Sequence, residues 1–182
     1  SPILSNIYLD KLDKELESRG LRFVRYADDF IILVKSEKAA ERVMASITSW
    51  IERKLFLKVS ATKTKVTRPT NSRFLGFTFV KYTSKWECKP AKDRIVKFEK
   101  KIKDYLCRRK AVARTLAKTF TKLNQIIRGW INYFKIGRMK QYLKEKFGPW
   151  LRHKIRVVIL KQWKRPKTIY TNLMKINLKN NN

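Results

Sequence analysis

The sequence predicts an α+β fold in two parts, a mixed α and β segment over residues 1–82 and an all-helical bundle over 83–182. Three observations carry this. Apolar residues recur at both helical and strand-like spacings in the first part, and at helical spacing from Ala91 onward. The charge divides in the same way, with 16 basic and 9 acidic residues up to Tyr82 against 29 and 5 after it. With 43% hydrophobic and 12% aromatic residues, the 182-residue chain can bury real cores, so disorder does not follow from its net charge of +31.

A helix is expected at once: Ser1 suits an N-cap, Pro2 suits the first helical position, and Ile3, Leu4, Ile7, Tyr8, Leu12 and Leu16 recur at helical spacing. Gly20 ends it. Leu21 to Tyr26 and Phe30 to Val34 are strand-like runs joined by Ala27, Asp28 and Asp29, a hairpin with carboxylates at its tip. Ser36 caps a second helix whose apolar face is Ala40, Val43, Met44, Ile47 and Ile51, running to about Leu55. Short strands are expected at 57–59, 66–67, 74–80 and 85–88, with a loop at Pro69 and Asn71. The bundle follows in four helical patterns. They are Ile95 to Tyr105, Val112 to Ile127, Met139 to Leu143 and, after Gly148 and Pro149, Leu151 to Gln162; Asn177 to Asn182 is read as a frayed polar tail.

So large a positive excess points to a polyanion, either nucleic acid or an anionic surface. The longest unbroken aliphatic or aromatic run, Phe30 to Val34, is far short of the roughly 20 residues of a spanning helix, which excludes a transmembrane reading. Cys88 and Cys107 have no CxxC spacing and no nearby His, so free thiols in a reducing compartment are expected and structural zinc is not. His153 is the single histidine, which removes mechanisms needing two imidazoles. Catalysis must rest on carboxylates. Beyond Asp104 the one acidic side chain is Glu145, so the helical part should dominate phosphate affinity.

Adjacent aspartates at a hairpin tip suit magnesium, a hard ion that takes one or two protein carboxylates and completes its shell with water and phosphate oxygens. Two such ions, about 3.5 to 4 Å apart, can align an attacking hydroxyl and a leaving pyrophosphate. Asp is also a common turn residue, so the pair alone does not decide the matter.

Its surroundings do. Arg25 to Phe30 reads RYADDF between apolar strands and resembles the palm of a reverse transcriptase. SPILSNIYLDKLDKEL at 1–16 is similar to the helix preceding YADD in group II intron reverse transcriptases, and LKVSATKTKV at 57–66 and FLGFTF at 74–79 to the next palm segments. RGWINYF at 128–134 and WKRPKT at 163–168 resemble the thumb of that family, its domain X or maturase domain. The match is collinear over nearly the whole chain. It implies a partial palm (helix, YADD hairpin, helix, short strands) followed by an all-α thumb bundle.

The resemblance further implies that Asp28 and Asp29 are two of three carboxylates of a two-metal Mg2+ site, with Asp28 the more direct ligand, and sets Tyr26 and Ala27 beside substrate. It places the third carboxylate on a palm strand upstream of this chain, with the fingers and a Gln-Gly turn upstream too, so the chain alone is expected not to polymerise. Implied partners are group II intron RNA, an RNA template with DNA primer, that N-terminal fingers and palm segment and, in the completed protein, dNTP; no membrane is expected. The setting would be a bacterial cytoplasm or an organelle. An HNH nuclease domain is not expected, given one His and little chain after Trp163.

Lys63 and Lys65 match the family's KTK segment and could neutralise triphosphate charge or protonate pyrophosphate; a solvated strand pair fits them equally well. Phe74, Leu75 and Gly76 resemble the primer grip, with the glycine allowing close approach of a strand and the aromatic side chains mostly packing. Trp130, Ile131, Tyr133 and Phe134 can stack on bases, but core packing is the favoured reading. Arg128 and Asn132, four apart, are the better RNA contacts. Lys161, Lys164, Arg165 and Lys167 around Pro166 read as a phosphate clamp or as generic basic surface, and Trp163 is expected inside. The leading function is RNA-directed DNA synthesis combined with intron RNA binding. The alternative is a non-catalytic RNA-binding maturase module that promotes folding and splicing.

Overall fold

A computed structural model describes residues 2–180, so Ser1 and the tail residues Asn181 and Asn182 lie outside the described residues. The chain separates after Phe79 into two compact units. The α+β expectation holds: a helix, hairpin and helix come first, then short strands, then helices.

In the first unit, α1 runs Pro2–Ser18 and stops at Gly20, which adopts a left-handed φ of 65°. The Gly20 N–H donates to the Glu17 carbonyl at 2.8 Å and the Leu21 N–H to the Leu16 carbonyl at 3.0 Å, a glycine-dependent helix end. Leu9, Leu12 and Leu16 bury against Ile47, Ile51 and Leu55. Ile3, Leu4 and Ile7 do not join them, and Ile3 stays 71% exposed. At 3.6 residues per turn Ile3 and Ile7 fall on the opposite side of α1 from Leu9 and Leu16, so helical recurrence alone grouped two different faces.

The hairpin pairs β1 (Arg22–Tyr26) with β2 (Asp29–Leu33) in antiparallel register, Phe23 opposite Ile32 and Tyr26 opposite Asp29. Its turn is thus two residues, Ala27 and Asp28, and Asp29 belongs to the strand rather than to the three-residue connection expected. Phe23, Phe30 and Ile32 pack on the leucine core, so one face of the hairpin is anchored. Ser36 caps α2 (Glu37–Trp50) by accepting from the Ala39 N–H at 3.3 Å. The helix then widens into a π turn, Ile51–Leu55, ended by Phe56 at φ 53°.

The strands expected at 57–59 and 66–67 are absent: both stretches are irregular, and a turn holds Ser60 to Thr64 through the Lys63 and Thr64 N–H groups on the Ser60 carbonyl. Apolar alternation over three residues cannot form a strand without a neighbour to bond. Pro69–Asn71 forms a 3-10 turn. The single strand expected at 74–80 is a hairpin, β3 (Arg73–Phe74) and β4 (Phe77–Tyr82), with Arg73 opposite Thr78. Leu75 and Gly76 make its turn with φ of 50° and 81°, the doubly left-handed form that suits a two-residue hairpin. β5 (Lys85–Pro90) follows β4 in the sheet order β3-β4-β5.

The second unit begins at Val80 with the end of β4 and then β5, and continues as helices: α3 (Lys92–Tyr105), α4 (Arg108–Val112), α5 (Leu116–Phe134), α6 (Gly148–Trp163) and α7 (Pro166–Asn180). Phe98, Ile102, Leu106, Ala111, Leu123, Phe147 and Val158 form its core. The Val112 to Ile127 pattern is split, because Thr115 caps α5 by accepting from the Lys118 N–H at 3.3 Å. Gly148 and Pro149 do not break the chain as expected. A π turn, Tyr142–Phe147, passes directly into α6, with the Gly148 N–H donating to the Leu143 carbonyl. A Cβ on Gly148 would stand 2.9 Å from that carbonyl oxygen, which explains the glycine. The expected tail is helical through Asn180 as the end of α7.

Candidate metal centre and nucleic-acid interface

Asp28 and Asp29 are both exposed and adjacent at the hairpin end. Asp29 shares its strand face with Tyr26, which is 65% exposed, and this face is opposite the one bearing Phe23 and Phe30. Ala27 supplies the bend with φ 53°, a left-handed conformation that a non-glycine residue adopts only when its surroundings hold it there.

Arg25 does the holding. Its Nη1 donates to the Ala27 carbonyl and to Asn6 Oδ1, each at 2.9 Å, while its Nε donates to Asp13 Oδ1 at 2.7 Å and its Nη2 bonds the other Asp13 oxygen. The Arg25 side chain is 11% exposed and bridges the turn to α1. The hydrogen bond to Asp13, foremost, holds its pKa above the ordinary arginine value. Sequence reading passed over Arg25. The available signal was strand parity: Arg25 lies on the same face as Phe23, so a charge was due on the core side and needed a partner.

The donor set fits magnesium of the kind held by one or two carboxylates and completed by water and phosphate. Among the described residues no group of three His, Cys, Asp or Glu side chains could hold a metal ion. Lys63 and Lys65 lie in the irregular 56–68 segment as exposed side chains, not on a strand pair. Phe74, Leu75 and Gly76 span β3 and its turn; all three are partly buried.

In the second unit the aromatic cluster divides. Trp130 stacks on Phe98 with ring centroids 4.4 Å apart and Phe134 is buried, whereas Tyr133 is 54% exposed. Trp130, whose buried indole N–H meets no acceptor among the described residues, packs on the core. Trp163 is half-buried rather than inside. Arg128 and Asn132 are exposed on α5, and between them Gly129 is exposed too. A Cβ at Gly129 would meet none of the described residues within 4 Å beyond the backbone of its own helix.

Lys161 and Lys164 come together with Arg109 around a cavity of about 1000 Å³. Arg165 sits in the α6–α7 turn and Lys167 in the first turn of α7, both exposed. Arg109 was missed because nothing marks it within the run Arg108, Arg109, Lys110; only the packing of α4 on α6 selects it. Cys88 is partly buried and Cys107 exposed, both as free thiols. No helix among the described residues is long and apolar enough to cross a membrane.

The family model described as reverse transcriptase (RNA-dependent DNA polymerase) matches residues 1–79, and that described as group II intron, maturase-specific domain matches residues 95–176. A search of curated proteins found no match. The first match contains the YADD hairpin with its arginine brace, the second the basic helical bundle, and they follow in the order that the motifs set out. Together they cover nearly all of the sequence, and the chain belongs to the group II intron reverse transcriptase/maturase family.

Proposed function

We propose that the first unit contributes Asp28 and Asp29 to RNA-templated DNA synthesis and that the second binds intron RNA and the template-primer. The observation that carries the polymerase reading is the braced hairpin tip: two exposed carboxylates next to each other, on a turn whose carbonyl is tied to α1 by a nearly buried arginine. Such rigidity suits a group that must meet a reacting phosphate to within a fraction of an ångström.

Reverse transcriptases typically use Mg2+, which would bind Asp28 and Asp29 and offset charge on the triphosphate. The chain's own part is to hold the two carboxylates at a fixed spacing and to present Tyr26 on the same face as Asp29. By the family resemblance the third carboxylate and the dNTP-binding fingers belong to an upstream palm segment, and Lys63 or Lys65 serves the leaving pyrophosphate. Phe74, Leu75 and Gly76 approach the primer through the backbone of their turn.

The test is magnesium-dependent primer extension on an RNA template, with this chain combined with a fingers and upstream palm segment. Asp28→Ala should reduce extension at least about 1000-fold, in keeping with loss of a charge-stabilising group at a dry reacting centre, while intron RNA affinity stays constant or rises. Equal loss of both would remove Asp28 from the metal site.

A specific observation favours RNA binding on α5. Glycine in a helix interior is unfavourable, and at Gly129 no packing among the described residues requires it. Close approach of an outside backbone, flanked by Arg128 and Asn132, accounts for it. The maturase reading, in which splicing rests on RNA binding and the YADD tip is unused, is the outcome if extension fails although the two pieces associate.

A further inference from the structure

The cavity at the α4, α6 and α7 junction has features that a plain phosphate clamp does not need. Its lining includes the aliphatic side chains of Val112, Leu160 and Ile169 together with the cationic Arg109, Lys161 and Lys164, and no carboxylate. Its volume, about 1000 Å³, is at the top of the range of ligand-sized pockets, roughly 300–1000 Å³. A surface that only attracts phosphate gains nothing from aliphatic lining residues, because phosphates stay hydrated beside basic side chains. The combination instead matches a ligand with a flat, weakly polar body attached to an anion.

Two further observations bear on its walls. Gln162 Nε2 donates to the Ala111 carbonyl at 3.1 Å and to the Arg114 carbonyl at 2.7 Å, fastening the end of α4 to α6. At the end of α6, Lys164 is forced into φ 52° and ψ −59°, and the Arg165 N–H donates across it to the Trp163 carbonyl at 2.6 Å. That is a γ-turn of the strained kind, rare in proteins, and backbone strain of this sort clusters at functional sites and ligand clamps. A lysine with no functional placement could be relieved by glycine at this position.

We infer that this cavity receives an unpaired nucleotide of a bound RNA, its base against Val112, Leu160 and Ile169 and its phosphate against Arg109, Lys161 and Lys164. The inference rests on the RNA-binding reading above and narrows it. Paired bases in an A-form helix are stacked inside and cannot reach aliphatic side chains in a cavity, whereas a bulged or looped-out base can. The second unit thereby distinguishes folded RNA with irregularities from continuous duplex.

The experiment uses the whole chain and two RNA hairpins of equal length and charge, one fully paired and one with a single bulged adenosine, with binding followed by fluorescence anisotropy. The bulged hairpin should bind about ten-fold tighter. Ala113→Trp, which puts an indole into the cavity from its exposed rim, should bring that ratio close to one. Lys161→Gln should lower it about three-fold without adding bulk, which covers the case of a misfolded tryptophan variant, and circular dichroism identifies that case. Equal binding of the two hairpins by the unmodified chain, or a preference that survives both substitutions, overturns the inference and leaves RNA binding intact. Failure to bind either hairpin overturns the RNA-binding reading itself. Displacement of the bulged RNA by micromolar AMP would overturn the assignment to an RNA chain and give the cavity to free nucleotides.

Discussion

Arg25 shows how one side chain can fix a turn in place. Its guanidinium reaches Asp13, Asn6 and the Ala27 carbonyl at once, three acceptors from two elements, and a fork of five donors is the group that can do so. Arg25→Ala should therefore cost about 2–3 kcal/mol, the scale of a charged hydrogen-bond set lost from a largely buried position. Arg25→Lys should recover part of this, since charge is kept and the fork is lost. Urea denaturation checks both, and a loss below about 0.5 kcal/mol for the alanine variant, the scale of an ordinary surface substitution, would mean that the turn holds itself. The Asp pair was legible in the sequence because a two-strand signature with a carboxylate tip is a local pattern. Its brace was not, since Asn6 and Asp13 lie 19 and 12 residues away from Arg25 and only the packing of α1 on the hairpin unites them.

Two glycines, one in α5 and one opening α6, make opposite predictions from the same chemistry. Gly129 has open space around a would-be Cβ, so Gly129→Ala should stabilise the chain by about 1 kcal/mol, the helix propensity difference. It should at the same time weaken RNA binding several-fold if a backbone docks there. Gly148→Ala should destabilise by about 1–3 kcal/mol, because the new methyl group meets the Leu143 carbonyl at 2.9 Å. Thermal melts of the two variants, with RNA titrations of the first, separate a glycine kept for the fold from one kept for a partner. Elements were readable where a local rule sets them: Gly20 as a stop, Ser36 as a cap, Leu12 and Leu16 as core. They were misread where one extra residue matters. A π turn inserts a residue into helical spacing, so Gly148 and Pro149 looked like a break, and the Leu75–Gly76 turn looked like the middle of a strand.

At the scale of the molecule, charge sets what binds and the cores set where. The 29 basic and 5 acidic residues beyond Tyr82 are why the proposed function assigns phosphate binding to the helical part, while the first unit holds the exposed Asp28 and Asp29. The two contributions respond differently to salt. Each phosphate neutralised contributes about 0.9 to the logarithmic salt slope for duplex and about 0.7 for single strands. Replacing Lys161 and Lys164 together with glutamine should therefore lower the slope for intron RNA by about 1.4–1.8, with affinity converging on the parent chain as salt rises. Replacing Asp28 and Asp29 together with alanine should leave the slope unchanged, because no counterion-releasing contact is lost. RNA titrations at several salt concentrations read both numbers. An unchanged slope in the lysine variant would move the phosphate contacts to Arg128 and its neighbours on α5, where the glycine at position 129 already leaves a nucleic-acid backbone room to approach.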